Sequence, residues 1–70
     1  IEKNGSLIAG IEIKSASQVR PGDLAALRSF GQEYPAARRY VVANVDQTYT
    51  LNDVIVMPWE EFLNEFKTLI

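Results

Sequence analysis

Ile8-Ala9-Gly10-Ile11-Glu12-Ile13-Lys14 alternates between apolar and other residues with the two-residue period of a pleated strand. Extending it by one residue places Leu7, Ala9, Ile11 and Ile13 on one face. Ile8, Gly10, Glu12 and Lys14 fall on the other. Four apolar side chains on one face explain why the segment folds against a core. They leave unexplained a carboxylate and an ammonium standing two residues apart, beside a glycine, on the opposite face. A carboxylate is a ligand for a hard divalent cation, and a neighbouring ammonium can orient a water or steady a developing charge. The competing reading is a solvated pair on the exposed side of an edge strand.

Upstream of this strand, Asn4-Gly5 is a hairpin signal, since both residues accept positive φ. A three-residue loop, Asn4 to Ser6, sets Lys3 opposite Leu7 and Ile1 opposite Ala9. The partner of Glu12 then lies about three positions before Ile1. A two-residue loop moves this register by one. The chain opens at Ile1, almost directly in strand-like sequence, and reads as a piece of a longer protein.

Downstream, Ser15 to Gln18 is a polar loop. Pro21 suits a first helical turn, where its missing N–H is not needed, and Asp23 places a carboxylate near the positive helix end. Leu24, Leu27, Phe30 and Tyr34 recur at helical spacing. Arg28 and Gln32 face solvent, Gly31 weakens the centre, and Pro35 ends the helix by about Tyr34. Arg39 to Asn44 is β-branched and aromatic, the pattern of a strand buried on both faces. Strand, helix, strand in this order implies a parallel pair. Val45 to Leu51 contains a turn and a short strand, Asn52-Asp53 a second turn, and Val54 to Met57 another strand. Asp46 and Asp53 are in turn contexts that favour aspartate for its backbone hydrogen bonds. Pro58 opens a last helix with Glu60 and Glu61 in its first turn. Trp59, Phe62, Phe66 and Ile70, flanked by Leu63 and Leu69, form a broad apolar stripe expected to pack on the sheet. The expected fold class is α/β: one domain over residues 1–70, a small mixed sheet with two packed helices.

Seventy residues with 47% hydrophobic and 23% charged side chains fit one small globular domain. With no cysteine and no histidine, thiolate metal sites, disulfides and histidine-based general bases are excluded. Chemistry must then rest on carboxylates, lysine, tyrosine or a hard metal. A net charge of −2 argues against bulk electrostatic binding of nucleic acid. Arg28, Arg38 and Arg39 are the candidates for a local basic contact. Nucleotide-binding loops of the G-x-x-x-x-G-K-[ST] and G-x-G-x-x-G types are absent. No apolar run reaches membrane-spanning length, and the expectation is a cytoplasmic domain without membrane contact.

The strand ending Ile11-Glu12-Ile13-Lys14-Ser15, after a hairpin and before a polar loop and helix, resembles the PD-(D/E)xK restriction-endonuclease-like superfamily. More narrowly, the chain resembles the C-terminal region of a prokaryotic AAA-type ATPase family carrying an uncharacterised nuclease-like domain. Ile1 to Gly5, Asp23 to Phe30, Glu33 to Arg39 and Val54 to Leu63 carry that likeness with the Glu-x-Lys strand. The resemblance implies a truncated restriction-endonuclease-like core. In active members the acid binds Mg²⁺, here the Glu12 carboxylate, with the backbone carbonyl of the next residue, here Ile13. The lysine, here Lys14, positions or activates the attacking water. The same pattern requires an aspartate on the preceding strand, which by resemblance falls before Ile1. The 70 residues alone are therefore expected to hold no cofactor and to be inactive, with Mg²⁺ a property of the parent. The implied partners are the N-terminal ATPase module of the parent and nucleic acid. A second copy paired through an exposed sheet edge is a further candidate. A structural or oligomerisation module of the ATPase is the alternative to a nuclease.

Overall fold

The computed structural model describes residues 1–70. A small hairpin joins β1 (Glu2–Lys3) to β2 (Ser6–Leu7). The main sheet contains β3 (Ala9–Ile13), β4 (Arg38–Val42), β5 (Tyr49–Leu51) and β6 (Val54–Met57) in the order β3-β4-β6-β5. β3, β4 and β6 are parallel neighbours, and β5 closes one edge antiparallel to β6. The helices are α1 (Ala25–Glu33), preceded by a 3-10 turn at Pro21–Leu24, and α2 (Trp59–Leu69). The mixed α/β fold expected from the sequence is the one observed.

Two helices sandwich the sheet because its strands are apolar on both faces. Val41, Val54 and Val56 point to one side, where they meet Val19 and Leu24 of the segment leading into α1 and Leu27 of α1 itself. Tyr40, Val42 and Met57 point to the other side, against Phe62 and Leu69 of α2. Tyr40, Val41 and Val42 are wholly enclosed, as a β-branched and aromatic central strand predicts. Burying a side chain of this size contributes about 1.5–3 kcal/mol each. α1 stops at Glu33 because Pro35 follows; Tyr34 has left helical geometry at φ −128°.

Both two-residue turns are set by residues that tolerate positive φ. Asn4 and Gly5 adopt φ 55° and 81° and join Lys3 to Ser6; Asn52 and Asp53 adopt 50° and 66° and join Leu51 to Val54. The first hairpin therefore has the two-residue loop, and Lys3 faces Ser6 rather than Leu7. The difference is then undone by a β-bulge. The N–H groups of Ile8 and Ala9 both donate to the carbonyl of Ile1, at 2.9 and 3.4 Å. The amino group of Ile1 returns a hydrogen bond to the Ala9 carbonyl at 2.7 Å. One extra residue in the bulge restores Ile1 opposite Ala9, the register of the three-residue loop.

The bulge corrects the alternation expected at the start of the strand. Ile8 packs with Ala9 and Ile11 on the α2 side instead of sharing the face of Glu12. The apolar stripe of α2 also divides. Phe62 and Leu69 are buried and Phe66 is half-buried, but Trp59, Leu63 and Ile70 are exposed, at 40%, 56% and 65%. Ile13 is 62% exposed as well, because β3 is the outermost strand.

Candidate functional site

Glu12 stands on β3 with its side chain on the α1 face, in register with Val41 of β4. It is half-buried, and its Oε2 is fully buried with no hydrogen-bond partner. A polar oxygen buried without a donor gives up its solvation and gains no hydrogen bond in return. Two residues away, Gly10 supports the same face of the strand. A Cβ there would come within 2.8 Å of the Phe30 ring, so glycine is what lets α1 sit this close.

Lys14 lies just beyond β3 on the face shared with Glu12, yet its ammonium pairs elsewhere. Nζ stands 3.9 Å from Oδ1 of Asp23 in the 3-10 turn. The other oxygen of Asp23 accepts the Arg20 N–H at 2.9 Å, closing the turn that leads into α1. The sequence pattern places Asp23 at the helix start alone; the fold makes it the partner of Lys14 as well. Its proximity to position 14 depends on how the Ser15–Arg20 loop returns, which no local pattern encodes.

Ile13 directs its backbone away from the sheet. In this parallel pair, Lys14 N–H donates to Val42 and Arg38 N–H to Ile8, so the even-numbered residues of β3 bond β4. The N–H and C=O of Ile11 and Ile13 point to the open edge. The Glu12 carboxylate and Ile13 carbonyl are thus one residue apart at that edge. No group of three or more Asp or Glu side chains is placed to hold a metal ion. One carboxylate and one carbonyl fall short of the six oxygens that Mg²⁺ demands.

The three arginines do not form one surface. Arg38 and Arg39 are consecutive on β4 and point to opposite faces. Arg39, half-buried, extends over Gly31 of α1, with its Nε buried and without a partner. Arg28 is exposed on α1. Arg38 belongs to the α2 side, 3.8 Å from Glu65, whose carboxylate also accepts the Tyr40 hydroxyl at 3.2 Å. Burial, together with the nearby Glu65 charge, pushes the Tyr40 hydroxyl above the usual tyrosine range, opposed by Arg38. Tyr40 and Glu65 are 25 residues apart, and sequence periodicity showed only that Tyr40 is core.

The two largest surface grooves lie away from Glu12. One runs past Glu2, Leu7, Glu33 and Tyr34; the other passes Lys3, Ile8, Arg38 and Leu69. No helix is long and apolar enough to cross a membrane.

These features belong to a small α/β domain whose outer parallel strand carries Glu-x-Lys beside an open edge. Residues 1–62 match the family described as Domain of unknown function (DUF4143), and the chain belongs to that family. No curated protein and no solved structure matches it.

Proposed function

We propose that this chain is a restriction-endonuclease-like domain from the C-terminal region of an AAA-type ATPase, carrying half of a hard-metal site and inactive by itself. The observation that carries this reading is the Glu12 carboxylate, with one buried, unpartnered oxygen on the strand whose next carbonyl faces the open edge. A carboxylate oxygen buried without a donor calls for an explanation beyond packing, and a site for a ligand supplies one. Lys14 shares its face, where it can serve a water or a phosphate once free of Asp23. Membership of the DUF4143 family, which is associated with ATPase-containing proteins, supports the ATPase parent. A cytoplasmic location accords with that parent. Arg28, Arg38 and Arg39 are the candidate phosphate contacts, Arg28 and Arg39 on the α1 side of the molecule and Arg38 beside Glu65 on the α2 side.

In the intact parent, a second carboxylate opposite Glu12 would bring the oxygen count toward that of a Mg²⁺ site. The 70 residues alone do not fit the metal. The test is Mg²⁺- and Mn²⁺-dependent nicking of plasmid DNA by the parent beside its Glu12→Ala and Lys14→Ala variants. Activity lost in both, with folding retained, supports a nuclease. Absence of nicking in the wild type moves the domain to an interaction or oligomerisation role within the ATPase.

A further inference from the structure

A groove of about 470 Å³ runs between the β1–β2 hairpin, the start of β4 and the last turn of α2. The two-residue turn at Asn4-Gly5 brings its polar groups together. That turn pairs Lys3 with Ser6, and directly opposed residues of an antiparallel pair point to the same side. Arg38, on the α2 face of β4, supplies a second cation. Ile8, turned toward α2 by the bulge, joins Leu7 and Leu69 as the apolar wall.

No carboxylate lines this groove, so its positive charges are not neutralised within it. Lys14 and Arg38 are the cations that form ion pairs; Lys3 forms none. The Ser6 hydroxyl takes no part in the side-chain hydrogen bonds of the chain. Arg38 stands beside Tyr40 and Glu65, its Nη1 3.8 Å from the Glu65 carboxylate, beyond hydrogen-bond length. A guanidinium carries several N–H donors and this side chain is 59% exposed, so donors remain for a ligand.

We propose that this groove binds a small phosphate monoester with an apolar or ring-shaped body. The two cations match the double charge of the phosphate, Arg38 with its planar fork and Lys3 as a point charge. The Ser6 hydroxyl is a further donor to the terminal oxygens. Leu7, Ile8 and Leu69 take the body out of water, and the groove has the volume of a small-ligand site. An extended nucleic-acid strand fits less well. Its phosphodiesters carry a single charge each, and a chain of net charge −2 repels the rest of the strand. The groove is on the α2 face of the sheet and Glu12 on the α1 face, so this inference goes beyond the metal-site reading and stands without it.

The experiment titrates the 70-residue chain with adenosine 5′-monophosphate at constant ionic strength, followed at the backbone amides by two-dimensional NMR. Adenosine, inorganic phosphate and an oligothymidylate without terminal phosphates are the other arms. Saturable shifts at Lys3, Ser6, Ile8 and Leu69 are expected with the monophosphate, and binding of the other three weaker by about tenfold or more. Lys3→Met and Arg38→Met should each weaken the monophosphate by about tenfold or more. Lys67→Met, an equal loss of charge outside the groove, should change it by less than about twofold. Lys3 and Arg38 are exposed, and the amide spectra of the variants report directly that the fold is kept. No saturation by roughly 10 mM monophosphate overturns the proposal. Inorganic phosphate that binds as tightly also overturns it, because the apolar wall then contributes nothing. So does equal weakening by Lys67→Met, the mark of diffuse charge attraction, or an oligothymidylate that shifts the same amides more tightly, since a nucleic-acid strand is then the occupant.

Discussion

The guanidinium of Arg39 lies directly on Gly31, so a methyl group at position 31 would overlap it and come within 2.8 Å of Cζ. Gly31 is buried in the last turn of α1; within a helix glycine costs up to about 1 kcal/mol relative to alanine. The helix accepts that cost to let the arginine cross it. Gly31→Ala is therefore expected to gain nothing or to destabilise the wild type. In an Arg39→Ala background it should stabilise by about 0.5–1 kcal/mol. Urea unfolding of the four proteins gives the coupling, expected at about 1 kcal/mol or more. Additive effects would mean that Arg39 leaves the helix without loss.

Gly10 and Phe30 make a second close approach, tighter in consequence because an aromatic ring in a packed layer has less room to move. Gly10→Ala sets its Cβ 2.8 Å from the ring. The expected loss is about 1–3 kcal/mol, the usual range for overpacking. Phe30→Leu should recover part of it in the double variant, although it destabilises alone. A shift in denaturation midpoint for Gly10→Ala within error of zero would show that α1 slides away freely.

Tyr40 gives the domain an alkaline limit. Its hydroxyl titrates above the ordinary value because burial disfavours the phenolate and Glu65 repels it. A raised folded value means the contribution is complete below the unfolded value of about 10 and is lost as pH rises through the folded one. Stability should therefore fall above about pH 10 in the wild type, and less in Tyr40→Phe. At neutral pH the same substitution should cost about 0.5–1.5 kcal/mol through the lost hydrogen bond to Glu65. Chemical denaturation at pH 8 and pH 11 measures both; parallel pH dependence in the two proteins would assign the alkaline limit to other groups.

What could be read from the sequence followed from local chemistry. Asn4-Gly5 and Asn52-Asp53 are turns because these residues accept positive φ, and all four adopt it. Glu12 and Lys14 share a face because a strand has period two. The departures come from contacts between distant segments. The bulge at Ile8 and Ala9 is made against Ile1, and it turns Ile8 toward α2. Alternation puts Ile13 on a core face, yet β3 lies at the edge of the sheet and its last residue is exposed. Trp59, Leu63 and Ile70 extend a helical stripe wider than the sheet beneath it. Lys14 meets Asp23 only because the intervening loop doubles back.

Glu12 itself offers the sharpest separation of chemistry from stability. Its Oε2 is buried without a donor, so an apolar side chain of similar size removes a desolvation cost, and neither it nor a neutral amide breaks a hydrogen bond of that oxygen. Glu12→Gln and Glu12→Met are expected to leave the domain as stable as wild type or to raise it by about 1 kcal/mol. Lys14→Met should change stability by no more than about 0.5 kcal/mol, since its pair with Asp23 is partly exposed and long at 3.9 Å. Urea unfolding of the 70-residue chain supplies all three values. Neutral or positive results mean that the chain's own packing does not account for this carboxylate. A loss of about 2 kcal/mol or more in Glu12→Gln would make Glu12 a structural residue, and the metal-site reading of the strand would fall with it.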